Sequence, residues 1–182
     1  MNKKLAYIVL GIIFISIKVI VFMIPNSLHL FGFYFSTKKF YTIITFMFCH
    51  ITIRHLVLNL IGFVLSLSIF YCYDLKASYY LIVYFVSSLF SVFFWALLLR
   101  NVVFFGASAG IYGSFGYVSL KKKLLEIPRI FLFLLFLVSI YIDPVVSYIL
   151  KLNTPNINQI FVHTLALFFG ALCSLILKNK KI

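Results

Sequence analysis

The chain has 182 residues, of which 64% are hydrophobic and only 10% charged. A soluble domain is about 45–50% apolar and about 25% charged, so a water-soluble globule is excluded. The net charge of +13, from 16 Lys and Arg against three acids, sits in short clusters between apolar runs, which marks the loops of a multi-pass membrane protein and points to the lipid bilayer, not nucleic acid, as partner.

At about 20 residues per crossing, the length allows one membrane domain over 1–182 and nothing further. The first apolar run, 5–24, follows Lys3 and Lys4, and no A-x-A-like cleavage site precedes Pro25, so it reads as a retained helix. Lys18 near its outer end is expected to snorkel to the interface. The segment 25–42, with Phe31, Phe33, Tyr34, Phe35, Phe40 and Tyr41, is too aromatic for a solvated loop and is expected to lie in the outer interface. Further spans are predicted over 43–72, 77–99, 108–120, 130–149 and 159–177, the second having a partly polar outer section. Asp143-Pro144 reads as the end of the fifth helix. With the N-terminus in the cytoplasm, ten Lys and Arg fall inside (Lys3, Lys4, Lys76, Lys121, Lys122, Lys123, Arg129, Lys178, Lys180, Lys181). Five fall outside (Lys38, Lys39, Arg54, Arg100, Lys151), so both termini are expected to be cytoplasmic in a cell-membrane protein. Cys49, Cys72 and Cys173 show no CxxC pairing and read as packing residues, with no metal site implied.

Polar residues at membrane depth each need a partner. They are His50, His55 and Asn59 in the second span, Ser108 within Gly106-Ala107-Ser108-Ala109-Gly110, Tyr112 one turn later, and His163 in the sixth span. At about 1.5 Å per residue from the charge ending each span, Ser108 lies roughly 20 Å up, and Asn59 and His163 roughly 22 Å. Residues 108–120 cover only about 20 Å of a core about 30 Å thick, so this fourth helix is expected to start submerged, reached by non-helical backbone from Arg100 to Ala107 lining a wet cavity. Taken singly, each residue also has a packing role: Gly-Ala-Ser-Ala-Gly as a small-residue helix contact, His163 with Ala166 and Gly170 as a close-packed face, Tyr112 as an aromatic neighbour, His50 as interfacial.

Their shared depth fits acyl transfer. Ser108 supplies a hydroxyl at a helix start, where unbonded N–H groups and the helix dipole face developing negative charge. His163 can take and return its proton, and Asn59 and His55 can donate to an oxyanion. Asp74, Glu126 and Asp143 lie in or beside loops, so the reading is a Ser–His dyad without a triad acid. Neither an H-E-x-x-H motif nor a pair of intramembrane Asp is present.

His50-x4-His55-x3-Asn59, then Gly106-x-Ser108, then His163 followed by small residues at three- or four-residue spacing, resembles the rhomboid intramembrane serine proteases in their minimal six-helix prokaryotic form. The resemblance runs from about Phe46 to Leu177. It implies an all-α six-helix bundle with a short, submerged fourth helix, Ser108 as nucleophile, His163 as base, and His55 and Asn59 as oxyanion donors. It further implies Tyr112 stacked on His163, Gly106 and His50 as supporting residues, and close helix packing at Ala166 and Gly170. Transmembrane proteins are the implied substrates, with no cofactor. Ala109 and Ala166 stand where the family usually has Gly, and the Trp-Arg pair common in the family's first loop is missing. The competing readings are a six-helix transport component binding a small molecule and a non-catalytic rhomboid-like scaffold.

Overall fold

The computed structural model describes residues 2–35, 39–98, 102–121, 129–149 and 157–177, with backbone only at 129, 143–149 and 157. Helix α1 (Lys3–Met23) is capped by Asn2, whose side chain accepts from the Lys4 N–H. A short α2 (Ser27–Phe31), strand β1 (Phe33–Tyr34), α3 (Thr42–Thr45) and a 3₁₀ turn over Phe46–Phe48 lead to α4 (Ile53–Cys72). Then come α5 (Ala77–Leu98), strand β2 (Val103–Phe104), α6 (Ser108–Lys121), α7 (Arg129–Ile149) and α8 (Ile157–Ile176). Among the described residues α1, α4, α5 and α8 are long and apolar enough to cross a membrane. Their outward faces are apolar, as at Ile12, Ile20, Phe90, Phe94, Leu172 and Leu175, which suits a lipid solvent.

Helix α6 is the hub, packed against α4, α5, α7 and most closely α8. The reason is its glycine stripe, Gly110, Gly113 and Gly116. A β-carbon at Gly116 would overlap the Leu167 carbonyl, one at Gly113 the Ser87 side chain, and one at Gly170 the backbone of Gly113. Without a hydrophobic drive between helices in lipid, such small-residue contacts let backbones approach and gain dispersion. On the far side of α4, Phe14 stacks on Phe63 at 5.4 Å, and Phe70 packs against Tyr80 and Tyr117 at 5.1 and 5.3 Å. The other end of the bundle is tied by an ion pair between Lys3 and Asp74 and by Lys121, whose Nζ donates to the Ser174 and Leu177 carbonyls at the end of α8.

The structure departs from the sequence-based expectations in four places. The predicted span 43–72 is broken: α3 and the 3₁₀ turn end at Phe48, and α4 starts only after Thr52, whose hydroxyl accepts from the His55 N–H as an N-cap. His50 therefore precedes the helix and is buried. Lys18 does not snorkel; it is fully buried because it shares the inward face of α1 with Tyr7 and Phe14, and its Nζ lies 4.0 Å from the centre of the Phe63 ring. The aromatic first loop adds a feature that the expectation of an interfacial position left open, a two-stranded antiparallel pairing of Phe33 with Phe104 and Tyr34 with Val103. Asp143-Pro144 does not end α7, whose backbone runs on to Ile149. Finally, Cys49 and Cys173 are buried, but Cys72 is exposed.

Candidate active site

One end of the bundle, where α4, α6 and α8 begin, encloses a cavity of about 660 Å³. Its wall includes His55, Asn59, Gly106, Ser108, Tyr112 and His163, with Arg54, Phe105, Asn158 and Gln159 also lining it. Of the residues singled out by sequence, the six named first thus share one space, although they come from three helices and a loop.

Ser108 opens α6, so the first N–H groups of that helix have no carbonyl one turn earlier to bond, and the first such bond is Ile111 N–H to Ala107. Its Oγ stands 2.6 Å from Nε2 of His163. The His163 ring, 7% exposed as a residue, lies against Tyr112 with ring centres 4.7 Å apart and planes 31° apart. Small residues below set this closeness: α6 and α8 run parallel, with Ala166 fully buried and Gly170 seated on Gly113.

Gly106 is the pivot of the approach to α6. Its φ of +98° lies in the region L side chains rarely adopt, and its N–H is held by the Phe46 carbonyl at 2.9 Å. A β-carbon there would sit 2.8 Å from His55 Cε1, 3.0 Å from His55 Nε2 and 4.0 Å from Ser108 Oγ. Only a glycine leaves the His55 imidazole room to pack against the backbone at this point. The His55 ring is flanked by edge-on contacts with His50 at 5.1 Å and Phe105 at 5.6 Å. Asn59, one turn on, donates from Nδ2 to the His55 carbonyl at 2.9 Å and keeps a second amide hydrogen.

His50 lies outside the cavity wall: it is 2% exposed, with Nδ1 3.1 Å from the Phe48 carbonyl oxygen. Asp74 pairs with Lys3 about 22 Å from Asn59 along α4, remote from the cavity. Glu126 and the Asp143 side chain lie outside the described residues. Among the described residues no cluster of His, Cys, Asp or Glu is arranged to hold a metal ion. Sequence reading overlooked Phe105, which walls His55, and Asn158, which accepts from Trp95 Nε1 at 3.2 Å at the cavity rim. It also passed over the glycine stripe of α6, whose signal was there as Gly-x-x-Gly-x-x-Gly; Phe105 and Asn158 carried no comparable signal.

A comparison with curated proteins returns no significant match. Residues 37–180 match the model of the rhomboid domain, a family of intramembrane serine proteases that act on transmembrane substrates and also include non-catalytic members. With most of its length matched, four apolar helices and this arrangement of residues, the chain is a multi-pass membrane protein that belongs to the rhomboid family.

Proposed function

We propose that this chain is an active intramembrane serine endopeptidase, hydrolysing peptide bonds in or near the transmembrane segments of other membrane proteins. The observation that carries the reading is the 2.6 Å approach of Ser108 Oγ to His163 Nε2 on the wall of a cavity. A serine and a histidine are useful only if developing charge is met, and His55 and Asn59 line the same cavity.

The chemistry follows from these groups. Neutral His163 accepts the Ser108 proton at Nε2 as Oγ attacks the scissile carbonyl carbon. The carbonyl oxygen becomes an oxyanion, stabilised by the unbonded N–H of Ser108, the spare Asn59 amide hydrogen and the His55 Nε2–H. The imidazolium then returns its proton to the leaving amine, and water, activated by the same histidine, releases the acyl group from Ser108. No carboxylate is required; the Tyr112 ring holds the His163 plane, which makes the unit a dyad.

The bundle is read as one domain of six crossings: α1, α4, α5, α6, α7 and α8. The 14-residue α6 is about 21 Å long, too short for a core of about 30 Å, so its start lies below the outer surface. The charge count puts both termini in the cytoplasm and the cavity toward the outside of the cell membrane.

The test is labelling of the detergent-solubilised full chain with a fluorophosphonate, in parallel with cleavage of a single-span model substrate. Labelling and cleavage that both vanish in Ser108→Ala are expected. A wild-type chain that folds yet neither labels nor cleaves overturns the reading in favour of a scaffold.

A further inference from the structure

The buried polar atoms that the proposed chemistry does not use include two that complement each other behind α4. Lys18 on α1 is fully buried, and its Nζ has no hydrogen-bond partner among the described residues. The ammonium lies against the Phe63 ring, 4.0 Å from its centre, and 5.7 Å from the centre of the Tyr84 ring. Cation–π attraction offsets part of the burial but leaves its N–H donors unused. A lysine there for packing alone would be poorly chosen, since an unbranched apolar side chain fills the same space without a charge at membrane depth.

His50 presents the matching deficit. Its Nδ1 faces the Phe48 carbonyl oxygen, which can only accept, so Nδ1 carries the ring proton and Nε2 is left with a lone pair. That Nε2 is buried and has no partner among the described residues. Lys18 stands one turn beyond Phe14, whose ring packs 5.5 Å from that of Phe48, the residue whose carbonyl oxygen holds His50, so α1 and the turn before α4 adjoin at this level. A buried donor without an acceptor thus sits on a helix packed against the turn that carries a buried acceptor without a donor, and a flexible four-carbon side chain can turn its ammonium toward that turn by rotating its terminal torsions.

We propose that Lys18 donates a hydrogen bond to His50 Nε2 and, by fixing that ring, acts as a positioning residue for His55. The His50 ring is the wall on which the His55 edge rests, with ring centres 5.1 Å apart. His55 in turn lines the same cavity as Ser108 and packs against Gly106, two residues before it. The proposal deepens the protease reading and rests on it. It gives α1, which precedes the matched residues 37–180, a part in setting the oxyanion donors.

The experiment compares Lys18→Met, Lys18→Gln and the parent as full chains in lipid nanodiscs. Met removes the donor while keeping the bulk; Gln restores an N–H. Lys18→Met is expected to fold, since no buried charge is left behind, and to lower kcat by about tenfold to a hundredfold as a donor drifts from its place. KM should stay within about twofold, because substrate contacts are untouched. Lys18→Gln is expected to recover most of the loss. Adding His50→Phe to Lys18→Met should cost little more than the worse single change, as for two residues acting through one bond.

The nitrogen resonances of His50 give a second readout independent of turnover. Nε2 is expected to shift in Lys18→Met toward the value of an unbonded ring nitrogen and to return in Lys18→Gln. An Nε2 signal that does not move in Lys18→Met overturns the pairing, whatever the activity. So does a loss of activity that Gln fails to restore and that follows the melting temperature, which marks a packing role only. If the parent folds without fluorophosphonate labelling while the Nε2 shift still appears, the pairing is supported and the protease reading is the one that fails.

Discussion

Ser108 Oγ and His163 Nε2 are 2.6 Å apart although 55 residues separate them in the chain. The contact depends on a second pair deeper in the bundle, Gly113 against Gly170, where neither helix has a β-carbon to hold the other away. Parallel helices pinned by bare backbone below the cavity bring their first turns together above it, so the Ser108–His163 contact is a consequence of small-residue packing.

Ser108→Ala and His163→Ala should each abolish cleavage of a single-span substrate while the protein remains folded. In the proposed mechanism the two form one proton-transfer unit, so the double variant should be no slower than either single one. Turnover assays on all three, beside thermal melts, check this. Substantial turnover in Ser108→Ala would show that another nucleophile does the work.

Asn59→Ala should slow cleavage by about 10²–10³-fold at most, the scale of one lost oxyanion donor. The His55 ring and the Ser108 N–H remain, which caps the loss. Single-turnover rates are the measurement. An unchanged rate with a lowered melting temperature would reduce Asn59 to its bond with the His55 carbonyl, a structural role.

Gly106→Ala should harm both stability and rate. Its φ of +98° strains any L side chain, and the new β-carbon would stand 2.8 Å from His55 Cε1, forcing the ring to shift. A destabilisation above about 1 kcal/mol is expected from the backbone alone. The activity loss should persist at temperatures where the variant is fully folded, because the proposed function makes the displaced ring an oxyanion donor. Full activity in the folded fraction would show that the His55 position does not matter to the reaction.

Asp143→Asn should leave turnover within about tenfold of the parent, whereas loss of a triad carboxylate can lower it about 10⁴-fold. Tyr112→Ala should be the more damaging change, since the Tyr112 ring lies 4.7 Å from that of His163 and holds its plane. Steady-state kinetics of the two variants side by side make the comparison. A loss of several thousandfold in folded Asp143→Asn would mean that the histidine has an acidic partner after all.

What the sequence determined by itself is what composition and spacing carry. Long apolar runs bounded by charge predict where helices start and stop, because in lipid the backbone must satisfy its own hydrogen bonds; thus 108–120 was read where α6 covers Ser108–Lys121, and 77–99 where α5 covers Ala77–Leu98. The scarcity of polar residues in those runs made Ser108, His163, Asn59 and His55 conspicuous. Their common depth followed from helical rise alone. Tertiary structure decided everything that depends on which face meets which neighbour. Lys18 was legible as a charge near a helix end, but only the packing of α1 against α4 and α5 turns it inward, away from the interface that its position suggested. The break between Phe48 and Ile53 was hidden because an apolar 3₁₀ turn has the composition of a helix, and only the caps and the burial of His50 reveal it. The Phe33–Phe104 pairing joins two short segments 71 positions apart, too short to carry a strand period. Pro144 removes one donor from α7 without ending it, since loss of a single backbone bond does not outweigh the ladder on either side. Hydrophobic pattern is a property of one segment; burial, register and the 2.6 Å contact are properties of pairs of segments, and these arise only when the chain is packed.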